Sequence, residues 1–183
     1  MELAYLFWHY RRHAASEEHY RQGLLAFHES LAAAPPTGFI SSFSRRYYRL
    51  PWMESSVEVY EDWYIVKDFA ALGRLNHGAS RNAHEASHNE MAEMVEEGAG
   101  GLYKLWFNYG SEEALKTVVW FDKPPLQKTD DFLEVLERKT QEMGGIVWRR
   151  QMVFGPAKEY VIWLPTDKAM LIEGSLQYPF NRI

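Results

Sequence analysis

The segment His84-Glu85-Ala86-Ser87-His88 has the spacing H-E-x-x-H. Two imidazoles one helical turn apart can hold zinc, and the glutamate between them can activate a water. Placed on a helix at ~100° per residue, His84 and His88 share a face with Met91, Ala92 and Val95. Glu85, Asn89, Glu90, Glu93, Glu96 and Glu97 take the other face. A zinc-protease helix needs the opposite layout, with its ligands open on a cleft and its back packed on a core. Here that back is Ala86, Glu90, Glu93 and Glu97, a surface made for water. A third ligand is also required. Glu112 and Glu113 lie downstream, but no patterned helix presents them. No metal is therefore expected, and a metal-dependent hydrolase using His84, Glu85 and His88 is the least favoured of three functional readings. The two histidines read as inward-facing imidazoles, either structural or lining a ligand pocket.

His9 sits beside Trp8 in an aromatic run that reads as a strand, where successive side chains face opposite ways. If Trp8 packs under a helix, His9 points to the other side of the sheet, and the reverse holds otherwise. An imidazole in an apolar interior can serve as a general base near neutral pH. The pairs Arg45-Arg46 and Arg149-Arg150 alternate in the same way. A buried guanidinium needs a carboxylate or a ligand anion. It is either a clamp for an acidic group or a strand salt bridge to Glu58, Glu61 or Glu159. Glu61-Asp62-Trp63 offers carboxylates, but its setting reads as a solvated hairpin edge. His13, His19, His28 and His77 read as surface or helix-flank residues. The sequence holds no nucleophile elbow, phosphate-cradling glycine loop or serine triad pattern. The glycines of "EEGAGGLYK" stand between a helix and a strand, the wrong order for a nucleotide loop.

Around these residues the chain must supply a scaffold. It has 183 residues, 46% hydrophobic and 15% aromatic, enough for a packed core. A net charge of −5 argues against nucleic acid, whose binding needs a basic face. No segment reaches the ~20 apolar residues of a membrane span. There is no cysteine, which suits a reducing compartment, and the N-terminus reads as a strand and not a signal peptide. A cytoplasmic location is the expectation.

Aromatic strands are expected at 3–12, 38–50, 56–68 and 102–110, the second and third joined by a turn near Pro51. A helix capped by Ser16 carries Tyr20, Leu24, Phe27 and Leu31 and stops at "APPTG". A second helical region begins at Phe69 and, after a break, runs from Asn82 to Glu97, where Gly98, Gly100 and Gly101 end it. This order is ferredoxin-like. The remainder repeats it in shorter form: a strand at 116–125, a helix capped by Thr129, a hairpin from 146–155 and 159–165, and a last strand in 175–183. Only "TDKAMLIEG" stands where a second helix would be. Trp8 and Trp120, Tyr20 and Phe132, and Leu24 and Leu136 are each 112 residues apart. The expectation is thus an α+β chain of two tandem ferredoxin-like halves, 1–110 and a reduced 111–183, forming one structural unit. A sheet with helices on one face leaves the other bare, so two such sheets would close a fused barrel.

The stretches "YLFWHYRR…LLAFHESLAAAPPTGF", "YEDWYIVKDFAALGRLN", "GLYKLWF" and "WRRQMVFGPAKEY" resemble the dimeric α+β barrel superfamily, and within it an uncharacterised bacterial family of fused two-repeat barrels. The resemblance spans residues 4 to about 163. It implies the fold but no single reaction, because the superfamily is functionally mixed. The favoured reading is a small-molecule-binding protein acting on an aromatic or polyketide-like substrate, by cofactor-independent oxygenation or isomerisation. His9 and Arg149 are the candidate catalytic residues, and Trp63, His84, His88 and Arg150 the candidate ligand contacts. No cofactor is expected, and a homodimer is compatible. The second reading is a non-catalytic ligand-binding or structural module, with a filled interior and both Arg pairs salt-bridged internally.

Overall fold

The computed structural model describes residues 1–151, 155–166, 172 and 174–183. The chain forms two compact units, Met1–Leu102 with Arg182–Ile183, and Tyr103–Asn181. No helix among the described residues is long and apolar enough to cross a membrane.

In the first unit the elements are β1 (Leu3–Arg11), α1 (Glu17–Ala33), β2 (Phe39–Tyr47), β3 (Val59–Val66), α2 (Phe69–Gly78), a 3₁₀ turn (Asn82–His84), α3 (Glu85–Met94) and the start of β4 (Val95–Asn108). The strand order β2-β3-β1-β4 is the ferredoxin-like one. Ser16 caps α1, its hydroxyl accepting from the His19 amide at 3.2 Å. Tyr20, Leu24, Phe27 and Leu31 form the buried stripe of α1, as their spacing predicts. They pack on the sheet face bearing Leu3, Tyr60, Tyr64 and Val66, together with Met91 and Met94 of α3. β1 and β3 pair antiparallel, Leu3 opposite Val66 and His9 opposite Tyr60. That register puts His9 under the helices and Trp8, opposite Glu61, on the other face.

The expected boundary between helix and last strand is corrected here. α3 ends at Met94, and β4 already begins at Val95. The glycines that read as a helix stop lie inside the strand. A Cβ on Gly98 would come 2.4 Å from the Phe7 ring, and one on Gly100 would come 2.5 Å from the Tyr5 hydroxyl. Aromatic rings of β1 lie against β4 at these points, and only glycine leaves room for them.

The second unit holds the end of β4, then β5 (Thr117–Phe121), α4 (Thr129–Met143), β6 (Ile146–Arg150), β7 (Tyr160–Leu164) and β8 (Leu176–Pro179). Its order β6-β7-β5-β8 repeats that of the first unit. Thr129 is the first helical residue and not the cap: Lys128 holds the cap position and makes no side-chain capping bond. The helix ends at Gly144, whose φ of 63° needs a residue without Cβ. Phe132 and Leu136 of α4 pack on Val119, Phe121, Val147, Tyr160, Ile162 and Leu164. Most of "TDKAMLIEG" and the end of the expected strand 146–155 lie outside the described residues.

Candidate functional site

Even-numbered residues of β2 and β3 and odd-numbered residues of β1 meet on the helix-facing side of the first unit. Ser44 lies opposite Asp62, and Asp62 opposite Phe7. Asp62 is 2% exposed and His9 is 1% exposed. This corrects the reading of Glu61-Asp62-Trp63 as a solvated edge. β3 lies between β1 and β2, and all eight of its residues are buried.

A buried carboxylate needs donors, and Asp62 has them on both oxygens. Oδ2 accepts from the Tyr64 hydroxyl at 2.9 Å and lies 3.1 Å from His9 Nε2. Oδ1 accepts from the Ser44 hydroxyl and lies 3.6 Å from His28 Nε2. His28 bridges Ser42 (Nδ1, 2.7 Å) and Ser44 (Nε2, 2.8 Å), so it is a buried part of the cluster and not the surface residue its sequence context suggests. On its far side His9 Nδ1 meets the Tyr20 hydroxyl.

The electrostatics follow from these contacts. Burial alone would push the Asp62 carboxyl up, yet the His9 and His28 imidazoles together hold it well below the usual carboxylate range. Burial, with the Asp62 charge beside it, pushes the Tyr64 phenol well above its ordinary value, and does the same to Tyr20. At neutral pH both tyrosines therefore keep their protons and donate them. Among the described residues the Tyr20 hydroxyl forms no other hydrogen bond, so toward a neutral imidazole it donates to His9 Nδ1. A neutral His9 must then carry its proton on Nε2. That nitrogen faces Asp62 off the line of a hydrogen bond and is without an in-line partner.

His9, Asp62 and Tyr64 line one wall of a cavity of about 880 Å³ in the first unit. Its other walls are apolar: Tyr5, Phe7, Leu24, Phe27, Phe69, Leu72, Leu75, Met91 and Val95, with Asn76, Ser80 and His88 as additional polar residues. This volume lies in the range of small-molecule pockets. His88 stands edge-on to Phe27 at 5.9 Å.

The other candidate residues lie elsewhere. His84 is buried in the 3₁₀ turn, its Nδ1 3.1 Å from the Ser30 hydroxyl. Glu85 is exposed, and among the described residues no group of three or more His, Asp or Glu side chains is placed to hold a metal. Trp63 is on the opposite sheet face, its indole N–H donating to Glu61 Oε1 at 2.7 Å. Arg149 and Arg150 belong to the second unit. Arg149 pairs with Glu159 at 3.0 Å, and Arg150 donates to the Gly155 and Ala157 carbonyls. In the first unit Arg45 pairs with Glu61 at 2.9 Å and Arg46 with Glu17. Thus the structure brings His9 and His88 to one cavity and leaves Trp63, His84, Arg149 and Arg150 outside its lining. Asp62, which the sequence reading set aside as part of a solvated edge, and Tyr64 and Tyr20, to which it gave no functional role, complete the cluster.

The second unit has the same positions with different residues. Tyr60 faces His9 and Tyr160 faces Phe121 across equivalent strand pairs. By the same registers, Asp62 corresponds to Ile162, Tyr64 to Leu164 and Ser44 to Val147. The helix spacing makes Tyr20 correspond to Phe132 and His28 to Thr140, whose hydroxyl donates to its own helix at Leu136 O, 2.6 Å. Every polar member of the cluster therefore has an apolar or self-satisfied counterpart.

The depressed Asp62 pKa has a consequence for stability. Below about pH 4 an unfolded aspartate takes up a proton that the folded site refuses. The unfolded state then binds more protons, so this contribution is present above pH 4 and is lost as pH falls. Urea unfolding of wild type is expected to weaken more steeply between pH 5 and pH 3 than unfolding of Asp62→Asn. Parallel slopes would show that the carboxylate is not held ionised.

No protein-family profile and no curated protein matches the sequence. Solved structures do. A candidate monooxygenase of Fusobacterium nucleatum is similar over 89% of this chain and 74% of its own, at a TM-score of 0.59 and 12% identity. An anthrone oxidase-like protein is similar over 100% of this chain and 91% of its own, at a TM-score of 0.57 and 10% identity. The strand order in each unit is ferredoxin-like, and these two solved structures share the fold. At such identities the likeness speaks for the fold alone.

Proposed function

We propose that the first unit binds a small aromatic or polyketide-like molecule in its cavity, and that the His9–Asp62 pair handles a proton at the buried end. The observation that carries this reading is the contrast between the two halves. The same scaffold is filled with Phe121, Phe132, Ile162 and Leu164 in one half, so the fold does not require the buried charges of the other. Burying an ionised carboxylate with two imidazoles is costly, and packed apolar groups would stabilise the fold as well, so stability alone gives no reason for the cluster. The aromatic walls suit a planar ring system. Cofactor-independent oxygenation or isomerisation is the chemistry the superfamily resemblance suggests, with His9 as the proton-handling group and His88 at the wall. A cysteine-free sequence is compatible with a cytoplasmic location.

The non-catalytic reading draws support from one observation: both Arg pairs are engaged by internal partners, so neither is offered as an anion clamp. Both readings share the binding step, which is tested first. An uncharged fluorescent probe, N-phenylnaphthylamine, is expected to bind saturably at one site. Leu72→Trp, which fills the cavity from α2, is expected to weaken it at least tenfold with circular dichroism unchanged. Absence of saturable binding, or indifference to Leu72→Trp, would remove the cavity from consideration.

A further inference from the structure

The cavity has an open end and a closed one. Phe69, Gly73 and Asn76 of α2 and Ala92 of α3 line it and are exposed, so they stand at its mouth. His9 and Asp62 line it too but are buried, and stand at its closed end. Phe69, Leu72, Gly73 and Asn76 follow the spacing i, i+3, i+4, i+7, which is one face of a helix. α2 thus lays a whole face on the cavity, with a glycine in the middle of that face.

Glycine is a poor residue for a helix interior, because it gives up more backbone freedom on folding than alanine does. Gly23 of α1 has a packing reason to be there: a Cβ on it would come 2.7 Å from Met91 Sδ and 2.8 Å from Met94 Cε. Gly73 has no such reason. A Cβ on it would meet no atom of the described residues within 4 Å, and its backbone lies outside the left-handed region. Alanine would fit and would favour the helix. The space that a side chain would take at this position belongs to the mouth of the cavity.

We infer that Gly73 is a specificity-determining residue: it leaves the α2 side of the mouth without a side chain, and so admits flat ligands too broad to pass a branched residue there. Slender ligands pass in either case, so the selection is steric and acts at one position. This rests on the binding reading above and deepens it, by naming the ligand shape that the site accepts and the residue that sets it.

Two uncharged alcohols with the same polar group test this by equilibrium dialysis: pyrenemethanol, which is broad, and biphenylmethanol, which is slender. Wild type is expected to bind both, and Leu72→Trp to weaken both, which locates them in the cavity. Gly73→Leu is expected to weaken pyrenemethanol at least tenfold and to leave biphenylmethanol within about twofold. Ala70→Leu adds bulk at an exposed position of α2 outside the lining, and is expected to change neither. Gly73→Ala is expected to raise Tm by about 2–4 °C. A fall in Tm for Gly73→Ala would show that the helix itself requires glycine, and the assignment would be overturned. If wild type takes biphenylmethanol alone, or if Gly73→Leu keeps both alcohols or weakens them equally, the width rule is overturned and the cavity reading stands. If wild type binds neither alcohol, both readings fall together.

Discussion

Asp62→Ala is expected to lower the stability of the protein by about 3–5 kcal/mol, whereas replacing the whole cluster is expected to cost far less. Removing the carboxylate alone takes the acceptor from Tyr64 and Ser44 and the carboxylate oxygens that face His9 and His28, all inside the fold. Breaking a buried ionic group from one side is among the most damaging substitutions known. The second unit supplies the alternative. His9→Phe, Tyr20→Phe, His28→Thr, Ser44→Val, Asp62→Ile and Tyr64→Leu, made together, reproduce its residues at the equivalent positions. Trading a buried charged network for packed apolar groups is often neutral or stabilising. The sixfold variant is expected to lie within about 2 kcal/mol of wild type in urea unfolding, after allowance for imperfect repacking. If it unfolds as readily as Asp62→Ala, the cluster is a structural necessity and the contrast between the halves loses its force.

The second large effect belongs to the other sheet face. Glu61 is 0% exposed, accepts from Trp8 Nε1 and Trp63 Nε1 at 2.7 Å each and from the Tyr47 hydroxyl at 3.1 Å, and pairs with Arg45 Nη2 at 2.9 Å. Glu61→Ala withdraws the shared acceptor of three donors and the ion-pair partner of Arg45, and opens a space among large rings. A loss of about 3–5 kcal/mol is expected, which for a chain of this size is a fall in Tm of roughly 10 °C. Glu61→Gln keeps one acceptor oxygen and is expected to lose about half as much. Because this face lies across the sheet from the cavity, probe affinity in folded Glu61→Gln should match wild type within about twofold. A Glu61→Ala protein melting within a degree or two of wild type would show that the donors are satisfied elsewhere.

The two carboxylates show what local pattern can and cannot reveal. Glu61 and Asp62 are adjacent in sequence, so strand geometry requires that they face opposite ways. Nothing local says that β3 is flanked on both sides, and for that reason both read as edge residues. Their burial comes from the strand order, which places β1 against one side of β3 and β2 against the other. The glycines of β4 mislead for a related reason. Gly98 and Gly100 punctuate a helix in any local reading, while their actual role is set by rings on a strand more than ninety positions earlier.

By itself the sequence determined the order of elements, the buried stripe of α1, the α+β class and the match between the halves, because period and cap chemistry are written in neighbouring residues. It also singled out His9. Only the tertiary structure decided which face of β1 the helices cover, and hence that His9 and not Trp8 meets Tyr20, Asp62 and the cavity. Only the structure drew the arginines away to glutamates and backbone carbonyls and joined His28 and Ser44 to the carboxylate. The reason is register. These partners are brought together by strand pairing and by which side a helix packs on, and a one-residue slip would send each of them to the opposite face.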